Sequence, residues 1–220
     1  MAKLIEMVCT ANVGRSTVAE LMARKHLKKI GAADYQVISS GTSVDGIVKG
    51  ELPLPFKVKI VEQARQRGDI YSPTEASDVD AALKSGNDEA VTGFYAKAVK
   101  KFEAEELQNR KDVLHLFGLN EGILKTTQDQ TFARPNTAAV FSMGKSNNAQ
   151  VRKIYFRSRK HRIRKYGSPL NPIISTLSAY ATGNPNTEIP NAFGKCPDVY
   201  KAVVVKIAEH VPKAINKLLG

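Results

Sequence analysis

The stretch LIEMVCTANVGRST, residues 4–17, decides how the rest of the chain is interpreted. It begins with a short apolar run that contains one Glu, and a turn-like series of small residues follows, which is typical of a buried strand ending in a loop. Residues 16–29 then have helical spacing, with Gly31 as the stop. The apolar stripe of this helix is expected to comprise Val18, Leu21, Met22 and Ile30.

Three later segments extend this strand–loop–helix unit into a sheet. YQVIS (35–39) reads as a second strand, and a strand–helix–strand unit of this length implies a parallel pair. AAVFSM (138–143) and TEI (187–189) are the predicted third and fourth strands. We therefore expect an α/β fold, a three-layer sandwich with a four-stranded parallel sheet.

The C-terminal segment has the spacing of a helix that covers the sheet. Pro212 lies inside this pattern and is expected to kink or divide the helix. The apolar positions spaced by four are Val199, Val203, Ile207, Val211 and Ile215.

Residues 71–112 differ in composition from the rest and are predicted to be a helical insertion in a single domain spanning 1–220. A short helix is expected around residues 79–83, and a longer one follows Gly86 and Asn87. The longer helix has apolar residues at three-and-four spacing between 91 and 102, and this stripe needs cover from the core or from a partner. The insertion could form a lid, a dimer surface or an extension of the fold.

The composition restricts the classes of function. The chain of 220 residues carries a formal net charge of +12, which favours an anionic partner. No apolar stretch reaches the roughly 20 residues of a membrane span, and the N-terminus resembles a strand more than a signal peptide, so we expect a cytoplasmic protein. Two cysteines, Cys9 and Cys196, provide neither a disulfide framework nor zinc-ligand spacing. No structural metal is expected.

Cys9 stands where a strand meets a loop and a helix. In that arrangement several backbone N–H groups and the helix N-terminus point at an anion. Arg15, at the end of the loop, can bind two oxygens of a tetrahedral oxyanion. The same dipoles stabilise a thiolate, which gives a nucleophile facing the bound group. The alternative is a buried, inert cysteine at the end of a strand.

CTANVGRSTVAEL, residues 9–21, resembles the phosphate loop of the low-molecular-weight protein tyrosine phosphatases, C-x-G-N-x-C-R-S-x-x-A-E. The positions that match are Cys9, Asn12, Arg15, Ser16, Ala19 and Glu20. Further segments resemble later parts of the family, namely VISSGTS (37–43), AAVFSMGKSNN (138–148), TLSAYATGNPNTEIPNAFG (176–194) and DVYKAVVVKIAEHV (198–211).

The resemblance implies that Cys9 attacks phosphorus and becomes a phosphocysteine, which water then hydrolyses. Arg15 would bind the phosphoryl oxygens, Asn12 would hold the loop in a strained turn, and Ser16 would donate to the thiolate. Ser40 would support the loop from behind. Substrate binding would involve Thr10, Ala11, Asn12, Val13, Gly14, Arg15 and Ser16. The implied partner is a phosphorylated protein or a small phosphate ester, and no metal or organic cofactor is implied.

Two departures from the family lie inside the loop. Ala11 stands where Gly is usual, so its methyl group is expected to crowd the backbone if the turn needs a positive φ. Gly14 stands where many members have a second cysteine, so Cys9 has no neighbouring thiol. Cys196 is the only other cysteine, which weakens a thiol-relay function such as arsenate reduction.

The most consequential departure is the missing general acid. Asn191 and Ala192 occupy the place of the family's Asp-Pro, and Asn cannot protonate a leaving phenolate. General acid catalysis is commonly worth about 10²–10⁴-fold. Asp198 is the nearest carboxyl group in the sequence, although it also suits the N-cap of the last helix. Glu188 is expected to lie further from the loop. The protein is therefore predicted to be an impaired phosphatase or a non-catalytic binder of phosphoproteins.

Residues 151–165 form a strongly basic segment, in which aromatic and aliphatic residues alternate with eight Arg or Lys. The simplest interpretation is a solvated helix face. The density of charge also permits docking of an acidic protein or a nucleic acid, the latter through its phosphates. A nucleic-acid-associated protein is accordingly a third hypothesis for the function.

Overall fold

The computed structural model describes residues 2–119, 129–166 and 171–220, with the backbone alone at Val48 and residues 159–166. The strands are β1 (Lys3–Cys9), β2 (Tyr35–Gly41), β3 (Thr137–Ser142) and β4 (Ile173–Thr176). The helices are α1 (Arg15–Ile30), α2 (Val44–Lys49), α3 (Leu54–Arg67), α4 (Pro73–Ser85), α5 (Asp88–Leu114), α6 (Lys145–Tyr166), α7 (Leu177–Thr182) and α8 (Pro197–Leu219). The α/β class predicted from the sequence is confirmed.

The four strands form one parallel sheet in the order β2-β1-β3-β4. Because β1 is an inner strand, its last residue, Cys9, reaches the carboxyl edge of the sheet between two neighbours. The prediction of a strand at 187–189 is wrong, since β4 is Ile173–Thr176. Ile189 makes only a single backbone bond toward the sheet, from its N–H to the Met143 carbonyl at 2.9 Å.

Helices cover both faces of the sheet. Ile5 and Met7 face α1 and α8, whereas Val8 faces α6 across Val151 and Tyr155. Two apolar positions predicted to be buried are partly exposed instead, Ile30 at 43% and Val199 at 38%, because each lies at a helix end.

Helix α8 runs without a break through Pro212, so of the two predicted effects of this proline the division is wrong, and the kink stays a prediction. A proline inside a helix removes one backbone hydrogen bond and costs about 3 kcal/mol. The buried side chains of α8 continue on both sides of the proline and pack against α1 and α7. The packing of this face offsets the local loss. These side chains are Val203, Ile207, Val211, Ala214 and Ile215.

Helices α3, α4 and α5 build a second apolar core beside the sheet. The stripe predicted on the long insertion helix is covered here by α3 and α4, so the chain itself provides the cover. Tyr71 packs edge-on against Phe94, with ring centroids 5.6 Å apart. The last turn of α5 inserts Val113 and Leu114 into the main core, which ties the two cores together.

None of the described helices is long and apolar enough to cross a membrane.

Candidate active site

The sulfur of Cys9 lies at the bottom of the loop that joins β1 to α1. Its side chain is buried, with 4% exposed. The backbone N–H of Asn12 donates to Sγ over 3.2 Å, and Ser16 Oγ lies 3.0 Å from Sγ. The loop therefore turns back over the sulfur, and the side chain points into the turn.

Asn12 sets the shape of the loop. Its φ of 56° is left-handed, a conformation that Asn adopts more readily than most residues. The side chain fixes this turn, because Oδ1 accepts from Ser16 at 2.9 Å and Nδ2 donates to the Ser39 carbonyl at 3.4 Å. The crowding expected at Ala11 does not arise, since the positive φ falls on Asn12 and not on Ala11.

The backbone amides of the loop are available to an anion. The N–H groups of residues 13–16 have no hydrogen-bond acceptor among the described residues. Gly14 precedes α1 without a side-chain cap, so the helix N-terminus keeps its unsatisfied donors. Consecutive free amides at a helix N-terminus bind phosphate-like groups.

The Arg15 side chain is anchored to the segment that contains Ile189. Its Nη1 donates to the Ile189 carbonyl at 3.0 Å, and its side chain is half-buried. That bond occupies one donor direction, and a guanidinium has five N–H donors in all. The remaining donors are suited to two oxygens of an anion that sits on the loop.

The segment that follows the second strand supports the loop. Thr42 and Ser43 donate their backbone N–H groups to the carbonyls of Cys9 and Thr10, at 2.9 and 3.0 Å. Asn147 of α6 donates to the hydroxyls of both Thr10 and Thr42, at 3.1 and 3.2 Å. The segment after β2 and helix α6 thus fix the start of the loop.

Ser40 does not support the loop with its side chain, contrary to the expectation. It is paired with Val8 and faces the α6 side of the sheet. Its hydroxyl donates to the buried carboxylate of Glu6 at 2.5 Å and contacts Thr131 at 2.7 Å. Because neighbouring side chains of a strand point to opposite faces, Ser40 belongs to a polar cluster on that side, where Arg134 pairs with Glu6 at 2.8 Å.

The segment predicted to lack the general acid lies against helices α3 and α5. Asn191 is exposed, and Ala192 is buried in the main core. Phe193 packs edge-on against Phe102 of α5, with centroids 5.4 Å apart, and its carbonyl accepts from Gln63 of α3 at 2.8 Å.

The two carboxyl groups considered from the sequence are engaged or exposed elsewhere. Glu188 accepts from the backbone N–H of Lys145 at 2.8 Å, at the start of α6. Asp198 is exposed in the first turn of α8, where a negative charge suits the helix dipole, while Cys196 takes the N-cap position. Within the described residues, no hydrogen bond or ion pair joins Asp198 to the Cys9 loop.

Helix α5 brings two charged side chains to the loop that the sequence did not indicate. Arg110 Nη1 donates to the Val13 carbonyl at 2.7 Å. The carboxyl group of Glu106 occupies the position that a Cβ atom on Gly14 would take, and its side chain is almost fully buried. Burial raises the pKa of Glu106 to about 7, although Arg15 and Arg110 act in the opposite direction. No local motif marks these residues, because contact with the loop joins positions 97 residues apart.

The basic segment lies on α6. Of its described side chains, Arg152, Lys153, Phe156 and Arg157 are exposed, and Tyr155 is buried against the sheet. The charged side chains from 159 onward lie outside the described residues, and docking of an acidic protein or a nucleic acid stays a prediction.

Comparison with known proteins agrees with this geometry. A parallel α/β sheet whose inner strand delivers a cysteine to an amide-lined loop supports a cysteine-based phosphatase. Residues 4–54, which span β1, the loop, α1, β2 and α2, match the family model of the low molecular weight phosphotyrosine protein phosphatases. The resemblance to this family is thereby confirmed. No curated protein matches the sequence.

Solved structures of this family share the fold. A YwlE mutant from Bacillus subtilis is 14% identical with a TM-score of 0.53, and the match covers both chains completely. The low molecular weight phosphotyrosine phosphatase VcLMWPTP-2 from Vibrio cholerae O395 is 16% identical with a TM-score of 0.52, over 98% of this chain and 95% of that one. A protein tyrosine phosphatase from Entamoeba histolytica is 14% identical with a TM-score of 0.54, over the same two shares.

Proposed function

We propose that the protein is a cysteine-dependent phosphomonoesterase that works through a phosphocysteine, with phosphorylated tyrosine or a small aryl phosphate as substrate. One observation carries the proposal. The Cys9 sulfur accepts from the Asn12 N–H, and the next four backbone amides, of residues 13–16, have no acceptor among the described residues; Arg15 is one of these four residues. A phosphoryl group seated on these donors presents its phosphorus to the sulfur.

In the first step the Cys9 thiolate forms a bond to phosphorus as the ester P–O bond breaks, and the electron pair leaves with the alcohol oxygen. The amides and Arg15 hold the equatorial oxygens, where negative charge increases in the transition state. In the second step a water oxygen attacks phosphorus, the S–P bond breaks, and inorganic phosphate is released. The sulfur recovers its electron pair and serves again.

Ser16 and Asn12 connect the state of the sulfur to the shape of the loop. The single Ser16 hydroxyl proton lies within reach of both Cys9 Sγ, at 3.0 Å, and Asn12 Oδ1, at 2.9 Å. A thiol donates to Ser16, which then donates to Asn12. A thiolate accepts the proton of Ser16 instead, which stabilises the sulfur as nucleophile in the first step and as leaving group in the second.

Two features favour the proposed substrates, one through the aryl group and the other through the charge of the phosphate. Val13 is only partly buried and presents an apolar side chain beside the loop. An aromatic leaving group can cover this surface, which removes apolar area from water. The net charge of +12 also raises the local concentration of dianionic esters.

The first prediction concerns Cys9→Ser. A serine hydroxyl in place of the thiolate is a poor nucleophile at neutral pH. The variant is expected to lose hydrolysis of p-nitrophenyl phosphate by at least about 10³-fold while it keeps phosphate binding. Released phosphate and p-nitrophenolate are measured together under steady-state conditions.

Cys196→Ser is the matched control, because Cys196 is exposed, lies outside the loop and is the only other cysteine. It is expected to hydrolyse the ester at the wild-type rate. Equal hydrolysis by wild type and Cys9→Ser would contradict the proposed function. Tight binding of phosphate esters by wild type without turnover would support the non-catalytic binder instead.

A further inference from the structure

A proton donor is required at the leaving-group side of the Cys9 loop. Departure of a phenolate as basic as that of tyrosine, pKa about 10, is slow unless its oxygen is protonated as the bond breaks. The segment that holds the donor in the family resemblance has an exposed Asn191 and a buried Ala192 here. Neither side chain can release a proton.

Glu106 is the described carboxyl group that lies against the loop. Its carboxyl oxygen occupies the space next to Gly14, which immediately precedes Arg15. Only 7% of the side chain is exposed, and Arg110, one turn further along α5, fastens the helix to the Val13 carbonyl at 2.7 Å. The carboxyl group is thus buried at the loop, on a helix that Arg110 anchors to the same loop.

We propose that Glu106 is the general acid of this active site and replaces the aspartate that the chain lacks near residue 191. The inference rests on the proposed function, because it assigns a role in the same reaction. It also gives a role to helix α5, which the sequence marks as an insertion without identifiable chemistry.

The environment keeps Glu106 protonated under conditions in which an ordinary glutamate is ionised. Burial raises its pKa to about 7, and the nearby carboxylate of Glu103 acts in the same direction. Arg15 of α1 and Arg110 of α5 oppose the shift. A dianionic phosphate bound at Arg15 partly neutralises that arginine and adds like charge, so substrate binding raises the pKa of Glu106 further.

The proton balance of the reaction follows from this placement. As Cys9 attacks phosphorus, the Glu106 carboxyl proton passes to the ester oxygen, and a neutral phenol leaves. The resulting Glu106 carboxylate then takes a proton from the water that attacks the phosphocysteine. After release of inorganic phosphate, Glu106 is again protonated and Cys9 is again a thiolate.

The test measures how kcat/KM depends on the acidity of the leaving phenol. The substrates are phenyl phosphate and p-nitrophenyl phosphate, which carry a basic and an acidic leaving group. Wild type is expected to hydrolyse both at comparable rates below pH about 7 and to favour p-nitrophenyl phosphate increasingly above it. Glu106→Gln is expected to lose about 10²–10⁴-fold on phenyl phosphate and far less on p-nitrophenyl phosphate.

A merely structural role of Glu106 does not move the pH profile in the same way. In wild type, kcat/KM is expected to fall above pH about 7, and this fall is expected to disappear in Glu106→Gln. The corresponding fall in the wild-type kcat is expected at higher pH, because kcat reports the pKa in the enzyme–substrate complex. Glu103→Gln removes a carboxyl group one turn earlier on the same helix. This control is expected to keep the wild-type preference between the two esters, with its alkaline limb at slightly lower pH.

Several outcomes overturn the proposal. If wild type strongly prefers p-nitrophenyl phosphate over phenyl phosphate even at pH about 6, it has no general acid, regardless of the results for the variants. Equal losses on both esters in Glu106→Gln, or a gain in phosphate affinity, assign the carboxylate a structural or competing role. If Asp198→Asn creates a strong preference for p-nitrophenyl phosphate and Glu106→Gln does not, the general acid is Asp198.

Failure of the inference and failure of the proposed function are distinguishable. Without hydrolysis of either ester that depends on Cys9, the proposed function itself fails. With such hydrolysis and an unchanged preference in Glu106→Gln, only the role of Glu106 fails.

Discussion

Gly14 is the residue at which the phosphate loop and helix α5 meet. In the sequence, Gly14 stands where many members of the phosphatase family that the chain resembles have a second cysteine. In the structure, the space that a side chain at this position would take is filled by the Glu106 carboxyl group. The glycine and the buried glutamate are therefore complementary, and the absence of a thiol here is linked to the presence of an acid.

This complementarity makes Gly14→Ala a sharp test at the residue scale. Gly14 has a φ of −110°, outside the left-handed region that favours glycine, and the nearest atoms that a methyl group here would meet belong to the Glu106 side chain. We expect the carboxyl group to move away and kcat/KM for phenyl phosphate to fall by about 10²–10⁴-fold, as in Glu106→Gln. Hydrolysis of p-nitrophenyl phosphate is expected to fall far less.

Gly93→Ala is the matched control for this variant. Gly93 lies on α5, and a methyl group on its Cα would meet no atom of another element within 4 Å, so the change only favours the helix. It is expected to leave the ratio of the two rates unchanged. If Gly14→Ala keeps the wild-type ratio of the rates for phenyl phosphate and p-nitrophenyl phosphate, Glu106 does not protonate the leaving group.

At the scale of the element, α5 connects three parts of the molecule along one face. Phe102 packs on Phe193, next to the segment without the acid, and Glu106 lies on the loop. Val113 and Leu114 then enter the main core. A helix anchored at both ends holds its middle in place, which is what a positioned proton donor needs.

Burial of Glu106 on this helix also predicts how stability depends on pH. Its pKa rises from 4.5 to about 7 on folding, so the folded protein binds more protons than the unfolded chain between those values. The contribution to the free energy of unfolding is full below pH about 4.5 and is lost as pH rises through about 7, a change of about 3 kcal/mol.

Urea unfolding of wild type and Glu106→Gln across this pH range measures the contribution. Relative to Glu106→Gln, the unfolding free energy of wild type is expected to fall by about 3 kcal/mol between pH about 4.5 and about 8. Parallel pH profiles would mean that the Glu106 carboxyl group is not buried as described.

At the scale of the whole molecule, local signals in the sequence predicted the parts that depend on nearby residues. The apolar run before Cys9, the helix after it and the strand at 35 are set by short-range spacing and by one stop glycine, Gly31. The parallel sheet follows from the strand–helix–strand order. The proposed anion binding by the loop is inferred from its position between β1 and α1.

The parts that could not be predicted depend on contacts between distant segments. β4 is only four residues long, is mostly half-exposed and is placed by its pairing with β3, so its sequence carries little signal of its own. The continuity of α8 through Pro212 depends on packing against α1. Glu106 looks like one more polar residue in a helix rich in Glu and Lys, and only the tertiary fold places it on Gly14.

The central claim is that the Cys9 sulfur takes up the phosphoryl group, and rapid acid quench tests it most directly. Wild-type protein mixed with p-nitrophenyl phosphate is quenched within the first turnover, and its peptides are analysed by mass spectrometry. The account predicts a phosphoryl adduct on the Cys9 sulfur that forms with the burst of p-nitrophenolate and decays as inorganic phosphate appears. Product formation with no adduct on Cys9 at any time, or with the adduct on another residue, would contradict it.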